Sequence, residues 1–496
     1  MKEKPTALNR NDRAFFERVH RAAFSNPFGP DRETLDREIF PGAPSQSPDT
    51  LLDGVVATVT ARLKAALPDR KRWTVFPADE QRYLRSAILF ECFHRACDPF
   101  DDLVLRQQTA GDAPVSCPFA GKTLAELRAC GFSDEESVNA IGLFYQLRRA
   151  FFLIDQGLIG RSRPMCDLRV QLWQCVFTGD TQRYATHLWN RMEDFSTLLL
   201  GETGTGKGAA AAAIGRSGLI PYDEKRQRFA HSFTAMFTPI NLSQFPESLI
   251  ESELFGHRKG AFTGAVSDYE GILARSRSQG ALFLDEIGDA SVPVQIKLLQ
   301  VLQDRQFTPV GSHERRRFHG RVIAATNRPL DTLRRSGRFR DDFYYRLSSV
   351  ALKIPPLRER LIDAPGERRL LLRLIVERFL GHAAPDLADG IEETLGKTLP
   401  PDYAWPGNVR ELEQAARRIL LTGAYTAGSE SGVQPNALRL DSGVADGSLS
   451  ARDLLALYCA RLHQRLGSYE RVAQRTGLDR RTAKKYADAG ASPKAG

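Results

Sequence analysis

The middle of this chain predicts a parallel α/β sheet with helices on its faces, set between helical segments at either end. Three observations lead there. Short apolar runs that read as buried strands recur at Thr197–Leu200, 237–240, 281–284 and 322–325. The intervals between them are long enough for helices, and strands alternating with helices give a parallel sheet with crossover connections. The first run leads directly into a glycine-rich stretch and then a run of alanines, which is strand–loop–helix order.

The 496 residues exceed what one compact core accommodates and suggest about three domains. With 42% hydrophobic and 26% charged residues, the composition is that of an ordinary soluble protein, and the net charge of +9 is a modest excess compatible with an anionic partner. No apolar segment follows the charged start, so no secretory signal is expected. No run of about 18 apolar residues predicts a membrane span. Seven cysteines in so long a chain do not suggest a disulfide framework, and the expected compartment is the cytoplasm, with reduced thiols.

Gly201, Glu202, Thr203, Gly204, Thr205, Gly206 and Lys207 form a phosphate-binding loop between the first strand and the alanine-rich helix. Glycines let backbone N–H groups close around phosphate oxygens, the helix N-terminus favours an anion, and Lys207 adds positive charge. The next position, where such loops place a Ser or Thr hydroxyl for magnesium, is Gly208, which shifts magnesium binding onto Asp285. The run 281–284 ends in Asp285 and Glu286. A strand ending in two carboxylates fits a Walker B element, with Asp285 on magnesium and Glu286 polarising the attacking water. The cofactors expected are therefore ATP and Mg2+.

Glu251-Ser252-Glu253-Leu254-Phe255-Gly256-His257 precedes Gly260-Ala261-Phe262-Thr263-Gly264-Ala265. Further blocks follow in order: Leu284-Asp285-Glu286-Ile287-Gly288, Ala324-Ala325-Thr326-Asn327-Arg328, Phe339-Arg340 with Tyr344-Tyr345-Arg346-Leu347, Pro355-Pro356-Leu357-Arg358-Glu359-Arg360, and Trp405-Pro406-Gly407-Asn408-Val409-Arg410-Glu411-Leu412. Over roughly residues 168–424 the chain resembles the bacterial enhancer-binding proteins, AAA+ activators of sigma-54 RNA polymerase. The resemblance implies that residues 260–265 form a mobile loop touching sigma-54, with Phe262 and Thr263 at its tip. It implies that Asn327 is sensor I, that Asn241 holds Glu286 inactive until the loop moves, that Arg340 and Arg346 are fingers reaching a neighbour's ATP, and that Arg410 is sensor II. Fingers acting in trans require a ring, which in this family is usually a hexamer. The family usually carries Glu where this chain has Gly208, and segment 221–232 reads as an extra polar insert.

Near the C-terminus, 468–478 reads as a short helix ending at a Gly turn, and Asp479 is a candidate N-cap for a second helix. This is helix-turn-helix spacing and is similar to the Fis-type module that ends many enhancer-binding proteins. Val472, Ala473 and Leu478 would form its core. Arg480, Arg481, Thr482, Lys484 and Lys485 would face double-stranded DNA, and 454–466 would supply a dimerising helix.

The expected division is a mainly helical signal-sensing domain over 1–166, an AAA+ α/β subdomain over 167–357, its helical lid over 358–424, a flexible linker over 425–448 and the DNA-binding module over 449–496. The N-terminal part shows no phosphoacceptor receiver. Its Cys92, His94, Cys97, Cys117, Cys130 and Cys166 read as core residues more than as a metal or thiol sensor. Two other functions stand against the activator: a different AAA+ remodeller, or a DNA-binding repressor with a decayed ATP site. The intact 260–265 block disfavours the first, and Asp285, Glu286, Arg340 and Arg346 disfavour the second.

Overall fold

A computed structural model describes residues 7–41, 47–425 and 450–491. It divides into two compact units, one of residues 1–389 with 404–414 and the other of 390–403 with 415–496. The expected linker lies almost wholly outside the described residues.

The first unit begins with eight helices: α1 (Arg10–Phe24), α2 (Pro30–Ile39), α3 (Pro48–Ala66), α4 (Ala78–Arg95), α5 (Cys97–Ala110), α6 (Phe119–Ala129), α7 (Asp134–Gly157) and α8 (Arg163–Phe177). The longest, α7, starts at a reciprocal cap in which Ser133 Oγ accepts the Glu136 N–H and the Glu136 carboxylate accepts the Ser133 N–H. A short turn of helix, α9 (Thr181–Arg183), leads on towards the sheet. The expected boundary at residue 166 falls inside α8.

Nine strands follow: β1 (Thr197–Leu200), β2 (Tyr222–Asp223), β3 (Arg228–Phe229), β4 (Phe237–Asn241), β5 (Ala281–Asp285), β6 (Gln306–Phe307), β7 (Arg316–Arg317), β8 (Arg321–Thr326) and β9 (Val350–Lys353). Five make one parallel sheet in the order β4-β5-β8-β1-β9. The four expected strands are β1, β4, β5 and β8. The edge strand β9 was hidden because Val-Ala-Leu-Lys buries only Leu352 and so lacks a continuous apolar run. The insert at 221–232 is not a loose loop: it contains the β2–β3 hairpin.

Both faces of the sheet are buried, and successive residues point to opposite sides. Leu199, Phe283, Ile323 and Ala325 face a core that runs continuously into the N-terminal helices. Leu198, Leu282, Leu284, Val322 and Ala324 face a second core. That second core is built with α11 (Glu247–Phe255), α12 (Ile272–Arg275), α13 (Val292–Asp304), α14 (Leu330–Arg335) and α15 (Asp341–Leu347). The alanine-rich helix α10 (Lys207–Gly215) lies between the sheet and the helices α7 and α8. Its Ala210, Ala211 and Ala213 are buried, and their small side chains let it approach all three neighbours. The lid starts with α16 (Leu357–Asp363) and α17 (Glu367–Leu380), then α18 (Pro385–Thr398) and α19 (Asn408–Thr422), the last two contributing to both units.

Within the second unit, three tail helices run over Ala451–Leu466, Tyr469–Thr476 and Arg480–Ala491. Cys459, Val472, Ala483 and Ala487 form their core, with Ala473 and Leu478 packed against it. Gly477 at φ 72 makes the turn, and Asp479 Oδ1 accepts the N–H groups of Arg481 and Thr482, so Asp479 is the expected cap. Among the described residues no helix is long and apolar enough to cross a membrane.

Because the N-terminal helices bury one face of the sheet, a chain beginning at residue 167 is expected to lose its cooperative thermal transition and to aggregate. Purification of that fragment beside the full chain, followed by a thermal scan of each, checks this.

Candidate nucleotide site

The loop after β1 keeps its shape through contacts it makes with itself and with the lid. Lys207 is buried, and its Nζ donates to the carbonyls of Gly201 at 2.9 Å and Glu202 at 3.0 Å. Burial lowers its pKa, while Glu286 and Asp285 nearby act in the opposite direction. Glu202 takes a two-pronged ion pair from Arg358 at 2.8 and 2.6 Å and accepts from Asn408 Nδ2 at 3.1 Å. The Arg358 hydrogen bonds hold its carboxylate below the usual range. Gly204, at φ 78, must be glycine, since a Cβ there would lie 2.3 Å from the Gly407 carbonyl oxygen. Its own carbonyl accepts the Val409 N–H at 3.1 Å. Thus the first turn of α19, which carries Arg410, is docked on the phosphate loop.

The strand ends supply the other polar groups. Asp285 and Asn241 are register partners at the ends of β5 and β4. Asp285 Oδ1 accepts the Glu286 N–H at 3.0 Å. Glu286 sits at φ 54, a left-handed conformation uncommon for a residue with a side chain. Its Oε2 accepts the Asn327 N–H at 3.3 Å, and Asn327 Nδ2 donates to Thr203 Oγ1 at 2.8 Å. Asn327 is therefore tied both to the acidic strand end and to the loop after β1. The expected pairing of Asn241 with Glu286 is not what the structure shows. Asn241 Oδ1 instead accepts from the Ser243 N–H at 3.0 Å and Ser243 Oγ at 2.7 Å, because the chain turns immediately after β4.

These groups line a cavity of about 890 Å³ that includes Thr203 to Gly208, Asn241, Asp285, Glu286, Asn327 and Arg410. Arg340 and Arg346 do not line it. Arg340 pairs with Asp342 at 3.0 and 2.7 Å, and Arg346 donates to the Leu302 carbonyl at 3.1 and 2.8 Å. Both arginines stay outside the chain's own cavity. A buried ammonium, loop N–H groups at a helix N-terminus and an acidic strand end suit a triphosphate with a divalent cation. At Gly208 a Cβ would meet nothing within 4 Å, so this position has open space for a side chain.

One wall of the cavity was not anticipated. Leu158 and Ile159 come from the α7–α8 connection, Met165 from the first turn of α8, and Leu371, Leu374 and Ile375 from α17. These apolar groups suit a flat base. The connection is held to the lid by buried Glu367, which accepts the N–H groups of Arg161 and Ser162 at 2.8 Å each and pairs with Arg360 Nε at 2.5 Å. Arg360 also donates to the Ile159 carbonyl at 2.6 Å. In the sequence the only signal was an apolar pair before Gly160, far from the phosphate loop.

The 260–265 loop stands apart from the cavity. Its base is closed by Gly260 N–H donating to the Ala265 carbonyl at 2.8 Å, and Arg258 pairs with Asp268 and Glu314. Phe262 is 38% exposed, with its ring edge-on to His257 at 4.9 Å, and Val266 is 80% exposed. Exposed apolar groups on a pinned turn are a surface that a partner would bury.

In the N-terminal helices Cys92 and Cys117 are buried, and burial pushes each thiol up to about 12. Among the described residues no group of three or more His, Cys, Asp or Glu is placed to hold a metal ion.

Two substitutions test this geometry by urea unfolding. Glu367→Ala strands Arg360 without its partner and is expected to cost about 3–5 kcal/mol. Gly208→Glu fills open space near the start of a helix and is expected to stabilise by roughly 0.5–1 kcal/mol.

A model of the sigma-54 interaction domain matches residues 181–353. The regulatory protein AtoC of Escherichia coli is 39% identical over 226 residues, 46% of this chain and 45% of that one. The Nif-specific regulatory protein of Azotobacter vinelandii is 44% identical over 230 residues, covering 46% and 40%. The sigma54-dependent transcriptional activator SfnR of Pseudomonas putida is 40% identical over 227 residues, covering 46% and 57%. The chain thus spans about half the length of the curated relatives it matches. Among solved structures, NtrX from Brucella abortus in complex with ATP aligns with a TM-score of 0.40 and 22% identity, over 75% of this chain and 81% of that one. Residues 181–353 of this chain match the sigma-54 interaction domain, and the relatives similar to it include a protein named as a sigma54-dependent transcriptional activator.

Proposed function

We propose that this protein is a cytoplasmic sigma-54-dependent transcriptional activator. It binds an upstream DNA site through its tail helices and uses ATP hydrolysis to convert the closed complex of sigma-54 RNA polymerase into an open one. The observation that carries this reading is a triphosphate-sized polar cavity and an exposed 260–265 loop held by the same sheet.

Lys207 and the loop N–H groups bind the phosphates, and Leu158, Ile159 and Leu371 hold the base. Asp285 would hold magnesium, which when bound would supply charge neutralisation at the phosphate oxygens. Glu286 orients and polarises the attacking water, while Asn327, bonded to both Glu286 and Thr203, reports whether the phosphates are in place. Arg340 and Arg346 complete the site of a neighbouring subunit in a ring, expected to be a hexamer, while Arg410 reaches the chain's own cavity from α19. Asn241 closes β4, and α11 runs from there to the 260–265 loop, so a shift at the strand end is carried to Phe262.

In the tail, Arg480, Arg481, Lys484 and Lys485 are exposed on the last helix, with Thr482 half-buried among them. They supply phosphate contacts and base readout from the start of a recognition helix.

Turnover measured against protein concentration tests the shared site. It is expected to rise cooperatively in the parent and to fall by about 10³-fold in Arg340→Ala, and turnover independent of concentration sinks the ring. Phe262→Ala is expected to keep hydrolysis and lose open-complex formation on a sigma-54 promoter. If Phe262→Ala supports full transcription, the loop has another role.

A further inference from the structure

The N-terminal helices reach the nucleotide site through α7, at both ends of the machinery. The end of α7 delivers Gly157, and the connection after it delivers Leu158 and Ile159, to the cavity wall. Its middle grips the helix that starts at Lys207. Gln146, fully buried, donates from Nε2 to the Ser217 carbonyl at 2.8 Å and to Tyr184 Oη at 2.6 Å. Arg149, also fully buried, donates from Nε to the Arg216 carbonyl at 2.9 Å and from Nη2 to the Gly218 carbonyl. Its guanidinium lies 4.4 Å from the centre of the Tyr145 ring.

The carbonyls at 216–218 are those of the α10 C-cap, Arg216, and of the two residues after it, beside the end where a helix presents unsatisfied acceptors and partial negative charge. A buried cation is costly unless it is compensated. Here the hydrogen bonds of Arg149 go to these backbone carbonyls. The chain beyond α10 then returns to the same helices. The Ile220 carbonyl passes beside Gly142 of α7, where an added Cβ would make ordinary contact at 3.7 Å. Tyr222 and Phe229 of the β2–β3 hairpin are buried in the N-terminal core, with Phe229 stacked on Tyr145 at 4.0 Å. The Cys117 N–H donates to the Gln227 carbonyl at 2.7 Å, and Arg128 pairs with Glu224 through both prongs at 2.9 Å. The insert at 221–232 thus fastens the far end of α10 to the N-terminal helices.

We propose that Arg149, with Gln146 beside it, is a positioning residue for nucleotide binding: acting from the N-terminal helices, it holds the C-terminal end of α10 and so fixes where Lys207 and the phosphate-loop N–H groups stand at the other end. A helix moves as a rod, so a shift at residues 216–218 is delivered to residue 207. The N-terminal helices then assist nucleotide binding, and any signal that displaces α7 lowers it. This rests on reading the cavity as an ATP site.

The test uses the full chain with Arg149→Met, Arg149→Lys and Gln146→Met. KM for ATP and kcat are measured in each, with the active fraction set by tight-binding titration and the fold checked by circular dichroism. Glu286 and the fingers are untouched, so the expected result is a KM raised about tenfold in Arg149→Met, with kcat within about twofold of the parent. Arg149→Lys is expected to recover most of the loss, because it restores the charge at the helix end. Gln146→Met keeps the volume and is expected to shift KM in the same direction, which carries the test if Arg149→Met does not fold. A purely structural role would lower the active fraction and leave KM unchanged, and that result overturns the proposal. If the parent neither binds nor hydrolyses ATP, the ATP reading falls and this inference falls with it. If the parent does both and the variants match its KM, only this inference is lost.

Discussion

A five-stranded parallel sheet has two apolar faces, and each must be covered for the strand ends to hold a site. One face is covered by α11 to α15. The other is covered by α10 together with the N-terminal helices, in a single continuous core that contains Phe16, Phe100, Tyr145, Leu199 and Phe283. The strand ends that carry Asp285, Glu286 and Asn327 are therefore held from both sides, and one of those sides belongs to the part of the chain expected to sense a signal. Packing alone makes that part integral to the site.

Polar ties then set the details that apolar burial leaves open. Glu202 joins the phosphate loop to Arg358 and Asn408 of the lid, and Glu367 joins the α7–α8 connection to Arg360. Each tie joins segments more than a hundred residues apart in the chain, and each places a backbone turn on the cavity wall. The Arg360–Glu367 pair is buried, and such a pair contributes little net stability when complete and a large loss when broken, whereas the Arg358–Glu202 pair is half exposed and weaker. They define one arrangement of the loop, the connection and the lid. Glu286 is part of the same logic: its left-handed backbone is a local cost that the surrounding hydrogen bonds sustain, and it turns the carboxylate towards Asn327.

Much of the site was legible in the sequence because its residues lie in short local patterns. The phosphate loop, the acidic strand end, Asn327 and the lid turn at 405–410 are each a strand or helix terminus with an unmistakable composition. The central strands β1, β5 and β8 were legible for the same reason, as continuous apolar runs, and the edge strand β4 through Phe237 and Ile240. The other edge strand, β9, was not, since Ala351 and Lys353 are exposed and only Leu352 is buried. The polar look of 221–232 concealed a hairpin because just two of its residues, Tyr222 and Phe229, enter the core. Asn241 lines the cavity, and its side-chain oxygen is taken up by the Ser243 N–H and hydroxyl, because a side-chain amide within reach of its own following backbone pairs locally.

The sequence by itself determined the class of fold, the phosphate loop, the acidic pair and the 260–265 loop, since each depends on residues close together along the chain and on backbone rules that act locally. Tertiary structure decided the rest. It joined the apolar cavity wall from 158–165 and 371–375, set Arg149 and Gln146 against the end of a helix across the core, and made the N-terminal helices part of the cavity. These depend on which surfaces meet when two sheet faces must be buried, and that constraint acts on the whole chain at once.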